Sequence, residues 1–240
     1  MVFSQLSTLT PVAHTAQSGK CFTAFPPNWL SAILHLHRCD SYNSLASKQQ
    51  LFEWWASIYD WLLPSVVYQS IHLRLLEFVT LPERATVLDL GCGTGQLLNR
   101  LAHTFPSMRG IGLDFSAQML RQARRQNRHH PRLIYIQGNA ETIPCATEQL
   151  DAVFSTLSFL HYPNPQAVLA EVTRVLRSPA YFYWVDPITP WVASQQLPIS
   201  PGGIRLYSPA HRATLGHQAG LTCLGHHHLL GSVVLTIFSR

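Results

Sequence analysis

The stretch Val87-Leu88-Asp89-Leu90-Gly91-Cys92-Gly93-Thr94-Gly95-Gln96 decides the fold. Residues of strand character run into a glycine-rich turn, and Leu97, Leu98 and Leu101 follow at helical spacing. A strand, a tight loop and a helix start form the arrangement that binds a nucleotide-like ligand on exposed backbone N–H groups. Glycine lets the backbone come close to a ligand because no Cβ stands in the way. Asp89 lies just before the turn, where a carboxylate meets a cationic or hydroxylated group.

The spacing narrows the ligand. A dinucleotide fingerprint reads G-x-G-x-x-G, and a phosphate loop ends in G-K-[ST]. Here Gly91, Gly93 and Gly95 read G-x-G-x-G, Gln96 stands where a third dinucleotide glycine belongs, and no G-K-[ST] follows. The loop is a poor NAD or ATP site. A carboxylate at Asp89 repels a pyrophosphate and suits an ammonium group. Downstream, Gly110-Ile111-Gly112-Leu113-Asp114 is a short apolar strand ending in a carboxylate. Doubly wound folds place a ribose-binding acid at about this interval. Ser116 reads as a helix N-cap, with Met119, Leu120 and Ala123 on one face of the helix. The strand Arg132–Gln137 leads into Gly138-Asn139-Ala140-Glu141, where the Asn139 amide has the donor and acceptor to read an adenine edge. Asp151-Ala152-Val153-Phe154-Ser155 starts a fourth strand that runs into Thr156, His161 and Tyr162 at the carboxyl edge of the sheet.

These residues resemble the class I S-adenosylmethionine-dependent methyltransferases. V-L-D-L-G-C-G-T-G is similar to their first motif, G-L-D-F-S to their ribose-binding strand end, and G-N-A-E-T-I-P to their adenine-binding turn. The last of these is similar to the turn of the methyltransferase type 11 group, which includes the ubiquinone and menaquinone C-methyltransferases. The resemblance is good from about 86 to 186. It implies S-adenosylmethionine as cofactor. Asp89, Gly91, Cys92, Gly93, Thr94 and Gly95 would hold its methionine part and Asp114 its ribose. Phe115 would lie against the adenine, Asn139 with Ala140 would contact its edge, Met119 would also bind the cofactor, and Ser155 and Thr156 would lie near the sulfonium. One departure is structural: the P-G-G turn usual after the fifth-strand helix is Ser178-Pro179-Ala180 here, so that connection must be built differently.

Composition sets bounds. The length suits one doubly wound domain with an extension. Charged residues are only 12% of the chain, about half the usual share, which suits an apolar partner and is compatible with peripheral membrane contact. The net charge of +5 is concentrated in Arg121, Arg124, Arg125, Arg128 and Arg132. No aromatic platform interleaves with them, so a solvated helix face is favoured over nucleic-acid binding. The five cysteines form no C-x-x-C pair, and Cys92 sits in the glycine loop, so a reducing cytoplasm is expected. No apolar run reaches transmembrane length and the first residues lack a signal-peptide pattern. His226-His227-His228 is read as a strand whose neighbours point to opposite faces, and no metal is expected.

Along the chain, residues 1–48 read as a poorly ordered or variable extension and 49–83 as an aromatic-rich helical cap, with Pro64 separating two helices and Tyr59 and Asp60 matching a tyrosine–acid pair near the cofactor. Residues 84–240 read as the methyltransferase domain. Its fold class is α/β: a Rossmann-like, doubly wound, seven-stranded sheet, mostly parallel with an antiparallel last strand. Strands are expected near 86–90, 109–113, 132–137, 151–156, 180–186, 221–228 and 232–239. Helices are expected near 96–105, 116–128, 164–177 and 208–219. The stretch between Pro187 and Tyr207 reads as a structure-poor insert forming a substrate wall. His161 is the first candidate for a general base, with Tyr162 and Asp186 as further candidates. The expected function is methyl transfer to a small aromatic or lipophilic acceptor. The alternatives are a non-catalytic S-adenosylmethionine-binding protein of the same fold, and a nicotinamide-dependent oxidoreductase, which Gln96 disfavours. Oligomeric state and the acceptor atom are not legible.

Overall fold

Apolar strands alternating with helices that carry one apolar face can bury both only by packing helices on a sheet. The computed structural model describes residues 62–189, 194–197 and 203–240. Its elements in chain order are α1 (Leu62–Leu76), β1 (Thr86–Leu90), α2 (Gln96–Thr104), β2 (Arg109–Asp114), α3 (Ala117–Gln126), β3 (Leu133–Gln137), β4 (Leu150–Thr156), a 3-10 turn (Phe159–His161), α4 (Pro165–Val175), β5 (Leu176–Pro187), β6 (Ser194–Leu197), β7 (Ile204–Tyr207), α5 (Pro209–Gln218), β8 (Thr222–Leu230) and β9 (Val233–Ser239).

Seven strands form one sheet in the order β3-β2-β1-β4-β5-β9-β8. β1 to β5 pair in parallel, and β9 runs antiparallel to both β5 and β8. The short Leu230-Gly231 connection leaves room only for a hairpin, and Gly231 turns it at φ 54°. The chain order reverses between β1 and β4, so the loops leaving these two strands diverge and open a crevice at their carboxyl ends.

Both sheet faces are covered. Val87, Ala152, Phe154, Tyr183 and Val185 face a core shared with Ile71 and Leu75 of α1 and Leu97, Leu98 and Leu101 of α2. Leu88, Leu90, Val153, Phe182 and Trp184 face the opposite core, with Val168, Leu169 and Val172 of α4 and with Phe159 and Tyr207. Each fully buried aliphatic side chain contributes roughly 1.5–3 kcal/mol. The helix starts follow their caps. The Ser116, Asn164 and Ser208 side chains accept from Met119 N, Ala167 N and His211 N, and proline opens α4 and α5.

The structure corrects several expectations. Within the described residues Pro64 does not separate two helices: it lies inside α1. Residues 49–61, including Tyr59 and Asp60, lie outside the described residues. The stretch after Pro187 is not without structure. β6 and β7 form an antiparallel hairpin with Ser194 opposite Tyr207 and Leu197 opposite Ile204. Neither strand shows an alternating burial pattern, so no period-2 signal marked it. β5 starts at Leu176, directly after α4, and its register against β4 jumps from Leu150↔Leu176 to Ala152↔Tyr181. Arg177-Ser178-Pro179-Ala180 is therefore looped out within the strand, and this replaces the expected glycine turn. In β8, His226 Nδ1 lies 3.0 Å from Thr236 Oγ1 while His227 stacks on Phe78 from the other face.

Candidate functional site

The glycine loop is held by its own N–H groups. Gly91 N and Cys92 N donate to Leu113 O at 2.8 and 3.0 Å, and Gly95 N donates to Cys92 O at 2.9 Å. Gly93 N donates to Asp114 Oδ2 at 2.8 Å. The N–H groups of Gly91, Cys92 and Gly93 therefore tie the end of β1 to the end of β2, that of Gly95 closes the loop on itself, and these four are not the exposed ligand-binding groups that the sequence suggested. The glycines serve geometry instead. Gly91 (φ 74°) would place a Cβ 2.5 Å from Ser158 Cβ, and Gly95 (φ 76°) would place one 2.4 Å from the Tyr135 hydroxyl. Gly93, at φ 52°, has open space where its Cβ would stand, and it borders a cavity.

That cavity has a volume of about 150 Å³. The loop and the end of β1 supply Asp89, Gly91, Cys92, Gly93 and Thr94, and Thr156 closes it from β4. α1 contributes Tyr68, Gln69 and His72, and α2 contributes Gln96, Leu97 and Arg100. Asp89 is 2% exposed and its carboxylate takes no hydrogen bond from the described residues. Burial, helped by the charge of Asp114, pushes its pKa up to about 8. On the α2 side of the lining, the Arg100 guanidinium donates to Gln96 O at 3.3 Å and lies 3.4 Å from His72 Nδ1. Burial and the Arg100 charge lower His72 to about 3, so His72 is a neutral acceptor at physiological pH. Arg100 meets no carboxylate within ion-pair distance among the described residues. The cavity thus presents an unpaired carboxylate and an unpaired guanidinium together. Thr156 Oγ1 adds a buried hydroxyl without a partner among the described residues.

The other expected site residues divide by place. Asp114 ends β2 and accepts from Ser116 N at 2.8 Å as well as from Gly93 N. Burial raises its pKa, against those N–H groups, which lower it. Phe115, Met119, Asn139 and Ala140 gather at the carboxyl ends of β2 and β3, outside the lining of the cavity. Gln137 Nε2 donates to Phe115 O at 3.0 Å, and Gly138 N to Asp114 O at 3.0 Å, which joins the two strand ends. Asn139 Oδ1 accepts from Glu141 N at 3.0 Å, making the turn, and Ala140 and Met119 are buried. The Cys92 thiol is pushed up by burial and by both carboxylates, which keeps it protonated.

Ser155 faces away from the cavity. Its hydroxyl lies 2.7 Å from Ser158 Oγ, which donates to Leu90 O at 2.7 Å, while the Tyr162 hydroxyl donates to Ser158 Oγ at 3.4 Å. These hydroxyls brace the loop after β4 against the glycine loop. His161 is not brought beside Asp89 either; it lines a second, smaller cavity with Gln196 and Arg205 of the hairpin. Asp186, at the end of β5, is 1% exposed and accepts from Trp184 Nε1 at 2.7 Å. Burial pushes it up to about 7, although the Arg212 charge acts to lower it. Sequence reasoning missed Tyr68, Gln69, His72 and Arg100. For Arg100 a signal existed, since it lies one helical turn beyond Gln96 and so faces the loop.

Residues 87–179 match the family model described as a methyltransferase domain. These residues therefore carry a methyltransferase domain. It is 33% identical over 132 residues to a 2-phytyl-1,4-naphtoquinone methyltransferase of Thermosynechococcus vestitus, covering 53% of this chain and 59% of that one. A fatty-acid O-methyltransferase of Mycolicibacterium smegmatis is 37% identical over 105 residues, covering 43% of this chain and 38% of that one. The chain therefore spans 59% and 38% of the length of these curated relatives. Among solved structures, a chain in the complex of the Haloferax volcanii Trm112 methyltransferase activator with a methyltransferase superposes with a TM-score of 0.68 at 20% identity, covering 78% of this chain and 96% of that one. That likeness shows the fold.

The α-amino acid end of S-adenosylmethionine carries an ammonium and a carboxylate, and the cavity lining includes Asp89 and Arg100. No side chain caps the first turn of α2, where Gln96 and Leu97 line the same cavity. No described helix of the methyltransferase domain is long and apolar enough to cross a membrane.

Proposed function

We propose that the protein transfers a methyl group from S-adenosylmethionine to a small lipophilic acceptor. The observation that carries this reading is that Asp89 and Arg100, neither in an ion pair among the described residues, both line the cavity beside the glycine loop. When bound, the sulfonium supplies an electrophilic methyl carbon and leaves as a thioether. The residues of this chain hold and orient. Asp89 would bind the ammonium and Arg100 the carboxylate, with the cavity-facing Thr156 beside the reacting end. Asp114 would accept from the ribose hydroxyls, and Phe115, Met119, Asn139 and Ala140 would enclose the adenine. Cys92 and Thr94 would shape the loop. Ser155 would act through Ser158. Positioning of this kind supplies on the order of 7–11 kcal/mol of a transfer barrier.

Segment 49–83 would cap the site, supported by Tyr68, Gln69 and His72 in the cavity wall, and 1–48 would be an accessory extension. The lipophilic acceptor is supported by the quinone and fatty-acid names of the relatives and by the low charge of the chain. Free thiols at Cys92, Cys145 and Cys223 support a reducing, cytoplasmic setting.

The test is acceptor-dependent formation of S-adenosylhomocysteine with a panel of naphthoquinols, phenols and fatty acids. The expected result is turnover of at least one class, lowered about tenfold or more by Asp89→Asn, the loss typical of a charged hydrogen bond. Cofactor binding without turnover of any class would favour a non-catalytic binding protein. Absence of cofactor binding would end the proposal.

A further inference from the structure

A second cavity of about 30 Å³ lies between the turn that follows β4 and the β6–β7 hairpin. His161, Tyr162 and Leu160 form one wall, and Arg205, Gln196 and Ile204 form the other. Its polar lining is rich in donors. Arg205 presents a planar fork, Gln196 an amide and His161 a ring nitrogen, and no carboxylate lines the space. Arg205 makes no ion pair among the described residues. Asp186 belongs to this end of the sheet, but it is buried and its Oδ2 is held by Trp184.

The cavity is one side chain away from the glycine loop. Tyr162 lines it, and the hydroxyl of the same residue reaches Ser158 and stands 3.0 Å from where a Cβ on Gly91 would sit. Tyr162 thus stands between a group held by Arg205 and the glycine loop.

We propose that this cavity takes a carboxylate of the methyl acceptor, held by Arg205 with Gln196 and His161, so that the acceptor class is a carboxylic acid with a lipophilic body. The inference rests on the methyl-donor reading of the first cavity. A carboxylate accepts only, and its two oxygens match the guanidinium fork. Leu160, Pro163 and Ile204 give the apolar flank that the body of such an acid needs. His161 then binds an anion rather than removing a proton.

The test uses the full chain in two calorimetric stages. S-adenosylhomocysteine is titrated first; if it does not bind, the donor reading fails and this inference falls with it. Decanoate and its neutral counterpart decanamide are then titrated into the loaded protein. The expected result is that decanoate binds about tenfold or more tightly than decanamide, as a charge-assisted hydrogen bond requires. Arg205→Gln removes the preference and Arg205→Lys keeps part of it, with S-adenosylhomocysteine affinity within about twofold of wild type in both, since neither touches the first cavity. Equal binding of acid and amide, no binding of decanoate, or a preference that survives Arg205→Gln would overturn the inference.

Discussion

Asp89 is costly to the empty protein and useful to the loaded one. Its folded pKa, about 8, lies above the ordinary carboxylate value of 3.8. Such a group destabilises as pH rises: the penalty is absent below about pH 4, grows between 4 and 8, and is complete above 8. Asp89→Asn is therefore expected to raise the melting temperature of the ligand-free protein at pH 8.5, with the gain shrinking as pH falls toward 4. A lower melting temperature at pH 8.5 would contradict this. The glycines separate in the same way by function. Gly91→Ala forces a Cβ to within 2.5 Å of Ser158 Cβ at φ 74°, so it should lower the melting temperature by several degrees, as a loss of roughly 1–3 kcal/mol does. Gly93→Ala meets open space and should lose only the left-handed backbone term, about 1–2 kcal/mol. It should nevertheless weaken S-adenosylhomocysteine binding about as much as Gly91→Ala, because in the proposed binding mode the ligand would fill that open space. Thermal melts paired with titrations of both variants separate the two roles.

Short local signals set the helices and strands, and longer ones set the site. Ser116 was legible as a cap from sequence because its hydroxyl acts within one turn, on Met119 N at 3.3 Å. Ser116→Ala should cost about 1 kcal/mol in denaturant unfolding. Arg212 was not legible. It lies on α5, yet it is wholly buried and donates to Val234 O at 3.0 Å, Asp186 O at 2.9 Å and Pro187 O at 3.0 Å, with its guanidinium 4.8 Å from the Trp184 ring. It joins the ends of β5 and β9 where their ladder stops. Arg212→Ala leaves those carbonyls buried without donors, so a loss of about 3 kcal/mol or more is expected from unfolding curves. The hairpin escaped sequence reading for a related reason. Its register is set by pairing between Ser194–Leu197 and Ile204–Tyr207, and neither run carries enough alternation to announce itself.

At the scale of the molecule, the doubly wound sheet and its crevice were legible from signals that lie between Val87 and Glu141: the glycine loop, the strand end at Asp114 and the turn at Asn139. These were readable because each acts on its immediate neighbours. His72, Arg205 and the bond of Ser155 to Ser158 were not, because their meaning depends on which helix or strand the fold sets beside them. The central claim is that Asp89 and Arg100 together hold an amino acid zwitterion. Calorimetric titration of S-adenosylhomocysteine between pH 6 and 9 tests it most directly. The account predicts that affinity rises with pH as Asp89 ionises and levels off above about 8, that Asp89→Asn is weaker and loses this dependence, and that Arg100→Gln is weaker but keeps it. Binding that does not change with pH and survives both substitutions would contradict the claim.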